Sequence, residues 1–201
     1  MKLRSVAIAT MVTASLLGCG SDDASGYAVT FTPSTTASAP RLIKLVQKSK
    51  SGGRVVVQVM MFGPDATLDM YSFAFDVHIG DPDVLRFVTG SDTPGNALVA
   101  SGGQTVDSIV AVGGGTDFST IVVGVSKLGG GPGNGLPGAQ AVVVELAFDV
   151  RSAGTTTLAL TGSGGNPARV FDSTGAVIGN VTFDSDSASV QGTPTGGGGG
   201  Y

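Results

Sequence analysis

Cysteine, histidine and glutamate each occur once in this 201-residue chain, and tryptophan is missing. A single thiol closes no internal disulfide and makes no paired-cysteine metal or redox site. The lone histidine, His78, has Asp76 two positions away but no third group to complete a metal shell or a nucleophile–base pair. Glycosidase chemistry needs two acids at a defined separation. Glu145 lies mid-strand between Val144 and Leu146, and the aspartates gather at turns: Asp81/Asp83, Asp92, Asp172 and Asp184/Asp186. Charged residues are only 13% of the chain, and Lys44, Lys48, Lys50 and Arg54 are spread over a strand and its turn. Nucleic acid is therefore not an expected partner, because binding the phosphate backbone requires clustered cations. Aromatics are 6%, with tyrosine only at 27, 71 and 201, so no planar aromatic row is available to stack on pyranose rings.

What is present points to strands. The apolar share is 41%, dominated by valine and alanine, and 33 glycines punctuate it. β-Branched runs broken by glycine favour strands joined by turns over helices, and no segment reads as a convincing helix. The length suits one domain plus tails.

The N-terminus is a short basic stretch, Met1–Arg4, followed by the apolar segment Val6–Leu17. At about a dozen residues that segment is too short to span a bilayer, which takes roughly 20, and it reads as a secretory signal over residues 1–18. Leu16-Leu17-Gly18-Cys19 resembles the lipobox of bacterial lipoproteins. The resemblance implies a diacylglycerol on the Cys19 thiol and cleavage that leaves Cys19 as the acylated N-terminus, held in membrane lipid. Two or three acyl chains anchor a soluble domain stably, at roughly 0.8 kcal/mol per buried CH₂. Gly20 stands where inner-membrane retention typically uses Asp, so the expected location is the outer membrane or cell surface of a Gram-negative bacterium. Residues 19–40 read as the acylated cysteine and a flexible Ser/Thr/Pro tether, within which Tyr27–Phe31 alternates and is a candidate short strand. Residues 192–201 read as a Gly-rich disordered tail.

Between the tails, residues 41–191 contain about nine strand-like runs: Arg41–Gln47, Arg54–Phe62, Met70–Ile79, Leu85–Val88, Thr105–Val112, Ser119–Ser126, Ala141–Val150, Thr155–Gly162 and Asn180–Val190. In the third, Tyr71, Phe73, Phe75, Val77 and Ile79 share one face, and Ser72, Ala74, Asp76 and His78 share the other. Regular strands with turn punctuation predict an all-β sandwich of two packed antiparallel sheets.

Two segments carry more than alternation. Phe73–Val88 ("FAFDVHIGDPDVLRFV") resembles the cohesin signature, an aromatic alternating strand followed by a Tyr-Asp-Pro-x-Val-Leu turn. Here Asp81, Pro82, Val84 and Leu85 match the turn, and Gly80 stands in place of the tyrosine. Gly138–Gly162 ("GAQAVVVELAFDVRSAGTTTLALTG") is similar to the late cohesin hairpin. The resemblance implies a nine-stranded jelly roll whose work is non-catalytic recognition of a dockerin-like protein module. It places contacts on the outward residues before the turn, Ser72, Ala74, Asp76 and His78. The Asp-Pro turn is structural: Pro82 fixes φ, and Asp81 accepts backbone N–H groups. A carbohydrate-binding module of similar shape is the alternative, with polysaccharide as partner. No cofactor is expected. Asp81-x-Asp83 and Asp184-x-Asp186 offer oxygens for calcium but lack the closing Glu of an EF-hand. The Gly-rich loop Lys127–Gly138 lacks the Gly-Lys-Ser/Thr of a phosphate cradle. The anchor has its own test. Mature Cys19→Ala protein is expected to lose acyl mass and leave the membrane fraction, and unchanged fractionation would refute the lipid attachment.

Overall fold

The computed structural model describes residues 26–63, 65–113, 118–136, 138–162 and 167–196. The signal segment 1–18, the lipobox cysteine Cys19 and tail residues 197–201 lie outside the described residues. Fourteen strands and no helix form among the described residues. In chain order they are β1 (Tyr27–Thr32), β2 (Leu42–Ser51), β3 (Arg54–Phe62), β4 (Asp65–Ile79), β5 (Leu85–Phe87), β6 (Thr93–Pro94) and β7 (Thr105–Val112). Then follow β8 (Thr120–Leu128), β9 (Asn134–Leu136), β10 (Gln140–Val150), β11 (Gly154–Thr161), β12 (Arg169–Asp172), β13 (Thr182–Phe183) and β14 (Ala188–Pro194). The count exceeds the nine expected because β1, β6, β9, β12 and β13 are short or polar.

They build two layers. Sheet A runs β1-β14-β11-β4-β8-β7, with β12 and β9 also paired to β4. Sheet B runs β13-β2-β3-β10-β5, with β6 also paired to β10. The expected all-β sandwich is what the chain forms. One pair departs from the antiparallel expectation: β13 lies parallel to β2, with Thr182 beside Leu42 and Phe183 beside Ile43. Strand alternation then makes the core. Phe73, Phe75, Val77 and Ile79 of β4 are at most 1% exposed and face Val55, Val57, Val59 and Met61 of β3 and Leu146, Phe148 and Val150 of β10. Each such burial contributes about 1.5–3 kcal/mol, which is why these three central strands hold the two layers together.

Four sequence expectations change. Within the expected tether the candidate strand Tyr27–Phe31 forms, as Tyr27–Thr32: it pairs along its whole length with β14, and Val29 and Phe31 enter the core. After β1 the chain crosses to sheet B under Lys44, which is buried. Its ammonium donates to the carbonyls of Thr35 and Ala37 and sits 4.7 Å from the Phe62 ring centroid. The run Asn180–Val190 divides, because Asp184 Oδ1 turns back to accept the Asp186 N–H at 3.2 Å, and the last strand extends to Pro194 into the expected tail. Tyr71 leaves the inner face. The pairing of β12 along β4 jumps from Ser72 to Met70, so Tyr71 is the extra residue of a bulge, and fully buried Met70 takes the inner position. The Tyr71 hydroxyl instead donates to the Gly129 carbonyl.

The Asp-Pro turn follows β4 directly. Asp81 Oδ1 accepts the Asp83 N–H at 2.9 Å, Val84 and Leu85 N–H both reach the Asp81 carbonyl at 3.2 Å, and the Val84 and Leu85 side chains return to the core. Gly80 has a steric reason: a Cβ there would stand 2.4 Å from Thr157 Oγ1, and the Gly80 N–H donates to Thr157 O at 3.0 Å.

Candidate functional site

The two outer faces of the sandwich differ in how their charges are used. On sheet B, Glu145 accepts from Lys48 Nζ at 2.6 Å and Gln58 Nε2 at 2.8 Å. Burial raises the Glu145 pKa, but these bonds outweigh it and hold the carboxyl below its ordinary range. Arg54 and Asp149 form a two-bond pair at 2.7 and 2.9 Å. Arg86, in register with Asp149, stacks on Phe118 at 4.5 Å and leaves its buried Nε without a hydrogen bond.

Sheet A is different. Its outer face is a grid centred on β4 and β8, with β12 and β11 on one side and β7 on the other, and its charged side chains, Arg169, Asp76 and Asp107, stand in separate rows. One row reads Phe171, Ser72, Ser126 and Asp107 across β12, β4, β8 and β7; the next reads Arg169, Ala74, Gly124 and Ile109. A third row reads Thr161, Asp76, Val122 and Ala111, with β11 now in the place of β12. The last places His78 between Ala159 and Thr120. All four predicted contact residues, Ser72, Ala74, Asp76 and His78, therefore lie on one outer face. They are not equally available: His78 is exposed, Ser72 and Ala74 are half-buried, and Asp76 is 5% exposed.

Asp76 is the anomaly of this face. Its Oδ1 is buried and accepts no hydrogen bond. Its row neighbours, Val122 and Thr161, come from strands 46 and 85 positions along the chain and crowd it without satisfying it. A buried polar oxygen without a partner costs about 1–3 kcal/mol, so native structures rarely retain one. Gly124 is the second anomaly. Glycine inside a strand weakens it by roughly 0.5–1 kcal/mol, and often marks close approach by another chain or ligand. The chain's own packing does not require this one, since an added Cβ would meet only Ile109 O at an ordinary 3.9 Å. The result is a shallow trough between Ala74 and Ile109, one row from Asp76.

Elsewhere polar residues hold loops. Asp69 accepts from the Ser173 hydroxyl at 2.6 Å, the Ser173 N–H at 3.2 Å and the Gly133 N–H at 2.6 Å, which ties β4 to two loops. The Ser173 hydroxyl bond is the main reason its carboxyl lies below the ordinary range. Lys127, 2% exposed, donates to Pro132 O at 3.1 Å, and burial lowers its pKa. Asp172 Oδ1 is occupied by the Thr174 hydroxyl at 2.7 Å and by the N–H groups of Thr174 and Ala176. Asp184 Oδ2 accepts from Ser34 Oγ. The aspartate pairs weighed for calcium thus shape turns, and among the described residues no three His, Cys, Asp or Glu side chains stand together as a metal site. A groove of about 490 Å³ opens between Pro167–Val170 and Val177–Phe183, lined by polar and apolar surface in nearly equal shares.

No family model and no curated protein matches the chain. Solved structures do resemble it. They are cohesin modules. A type II cohesin dyad from the ScaA scaffoldin of Acetivibrio cellulolyticus is 14% identical at a TM-score of 0.48. The match covers 75% of this chain and 48% of the dyad. The second type II cohesin module of the same scaffoldin is 15% identical over 71% of this chain and 84% of its own, at a TM-score of 0.47. A type II cohesin–X-dockerin complex from that organism is 14% identical over 77% of this chain and 93% of its own, at 0.48.

Of the grid, the outward residues of β4 were legible from alternation. Gly124, Val122 and Arg169 were not, because only strand pairing brings them beside β4. The burial of Asp76 makes a prediction about stability alone. Asp76→Ala is expected to raise the melting temperature by about 2–4 °C, as relief of roughly 1 kcal/mol does in a domain of this size. A lowered melting temperature would show that the carboxyl serves the fold.

Proposed function

We propose that the outer face of sheet A docks a protein module, and that the chain is a non-catalytic binding lipoprotein of the cell envelope. The observation that carries the reading is the buried, unpartnered Asp76 Oδ1 in the middle of the outer face of sheet A. A partner that places an N–H or O–H donor over Asp76 satisfies this oxygen and recovers the cost of its burial. The Gly124 trough supports the reading, because it lets another backbone come close where the chain gains nothing for itself. Sheet B also has one unpartnered buried atom, Arg86 Nε beside Asp149, but its guanidinium lies 4.5 Å from the Phe118 ring centroid, whereas Asp76 Oδ1 has no such neighbour.

The partner class is the one implied by the turn Asp81-Pro82-x-Val84-Leu85 and its preceding strand, a dockerin-like module. Acylation at Cys19 would hold the domain at the membrane, so that a soluble partner is recruited to the envelope. Asp76 and Gly124 have separate roles here, donor recognition and backbone clearance, and each can be removed without touching the core.

The test is titration of the full chain against a panel of dockerin modules, with Asp76→Ala and Gly124→Thr as variants. Binding by the native chain, weakened at least tenfold by either variant while the melting temperature does not fall, is the expected result. Retained affinity in both variants would overturn the face assignment. Binding to a glycan array that is indifferent to both changes would establish polysaccharide as the partner instead.

A further inference from the structure

Sheet A ends at β7, where among the described residues no strand pairs with the outer edge; on the inner side the Ser108 hydroxyl donates to Asp92 Oδ2 at 2.7 Å, from the loop that leads into β6. β7 alternates exposed and half-buried along all eight residues, and none of them is buried. Every other strand of six residues or more has buried positions, including β1 at the opposite edge of the same sheet. Its register with β8 runs from Thr105 to Val112 without a bulge, and it contains no proline or lysine. Natural edges are normally blunted by such devices. The single charge, Asp107, folds back so that its Oδ1 accepts the Ser108 N–H at 2.8 Å. At the centre, Ile109 is 76% exposed, the most exposed large apolar residue described. On the inner side Val106, Val110 and Val112 touch the core but are only partly covered.

We infer that β7 pairs antiparallel with β7 of a second copy of this chain, about a two-fold axis through Ile109. The sequence of the strand favours that occupant. Opposed residues in an antiparallel pair share a face, so this register sets Ile109 against Ile109 and Asp107 against Ala111 on the outer side. On the inner side it sets Val106 against Val112 and Ser108 against Val110. No like charges meet, and the half-covered Val106 and Val112 cover one another across the pair. The two outer faces then join into one continuous surface. A single strand pair lies at the small end of specific interfaces, so association is weak in dilute solution and is favoured where chains are concentrated on a surface. The inference rests on the edge and not on the docking reading; loss of partner binding in Gly124→Thr leaves it intact.

The experiment uses the full chain in detergent with Cys19→Ser, so that an introduced thiol is the only one. Mild oxidation of Ile109→Cys is expected to give disulfide-linked dimer as the main species. Val177→Cys, on a residue 51% exposed and away from this edge, is expected to stay largely monomeric. Sedimentation of the native side chains at about 0.5 mM is expected to show dimer, and Ile109→Asp to abolish it. Equal cross-linking of the two cysteine variants, or a native chain that stays monomeric at that concentration, would overturn the proposal.

Discussion

Fifteen residues of β4 meet two demands at once: a hydrogen-bond ladder on both edges and an apolar row on one face. Four other strands, β8, β9, β11 and β12, pair with it. Its inner row of Phe73, Phe75, Val77 and Ile79 is sealed against sheet B. With both edges and the inner face committed, the outer row is the only part of β4 on which chemistry can vary. The bulge at Tyr71 fits the same constraint. It reverses the alternation midway, so that Met70 and Leu68 also point inward, and a long strand keeps its apolar side on the core.

That constraint explains where the polar anomalies sit. An aspartate on the outer row of a central strand is flanked by side chains from both neighbouring strands. Here those are Val122 and Thr161, and neither supplies a hydrogen bond to Asp76 Oδ1. The same chain satisfies its other acids with care: Glu145 by Lys48 and Gln58, Asp149 by Arg54, Asp69 by Ser173 and Gly133. Asp76 Oδ1 and Arg86 Nε are the two buried polar side-chain atoms without a partner among the described residues, and under the proposed function Asp76 is the one that an external donor satisfies. Proteins tolerate such local cost where function requires it.

Much of the architecture was legible in the residues, for physical reasons that can be named. Strict alternation in β4 and long Val-rich runs in β3 and β10 report one-sided and two-sided burial directly. The Asp81-Pro82 turn reports its own geometry through proline and a short acceptor. Other features were hidden. β1 was obscured because only Val29 and Phe31 carry its burial, amid a segment whose composition is that of a linker. The division of Asn180–Val190 depends on Asp184 bonding its own backbone, which alternation does not reveal. Asp76 lay on the predicted face, yet its loss of solvent comes from residues remote in sequence, and the clearance at Gly124 is visible only once Ala74 and Ile109 stand on either side.

Fold and function therefore meet at one strand, with the inner row of β4 closing the sandwich and the outer row offering one unsatisfied acceptor. The most direct measurement is backbone and side-chain NMR on the labelled chain during titration with a dockerin module. The account predicts that the largest shifts centre on Ala74 and Asp76 of β4 and on Val122 and Gly124 of β8, fading toward β1 and β14. Shifts confined to the loops or to the outer face of sheet B, with Asp76 unmoved at saturation, would contradict it.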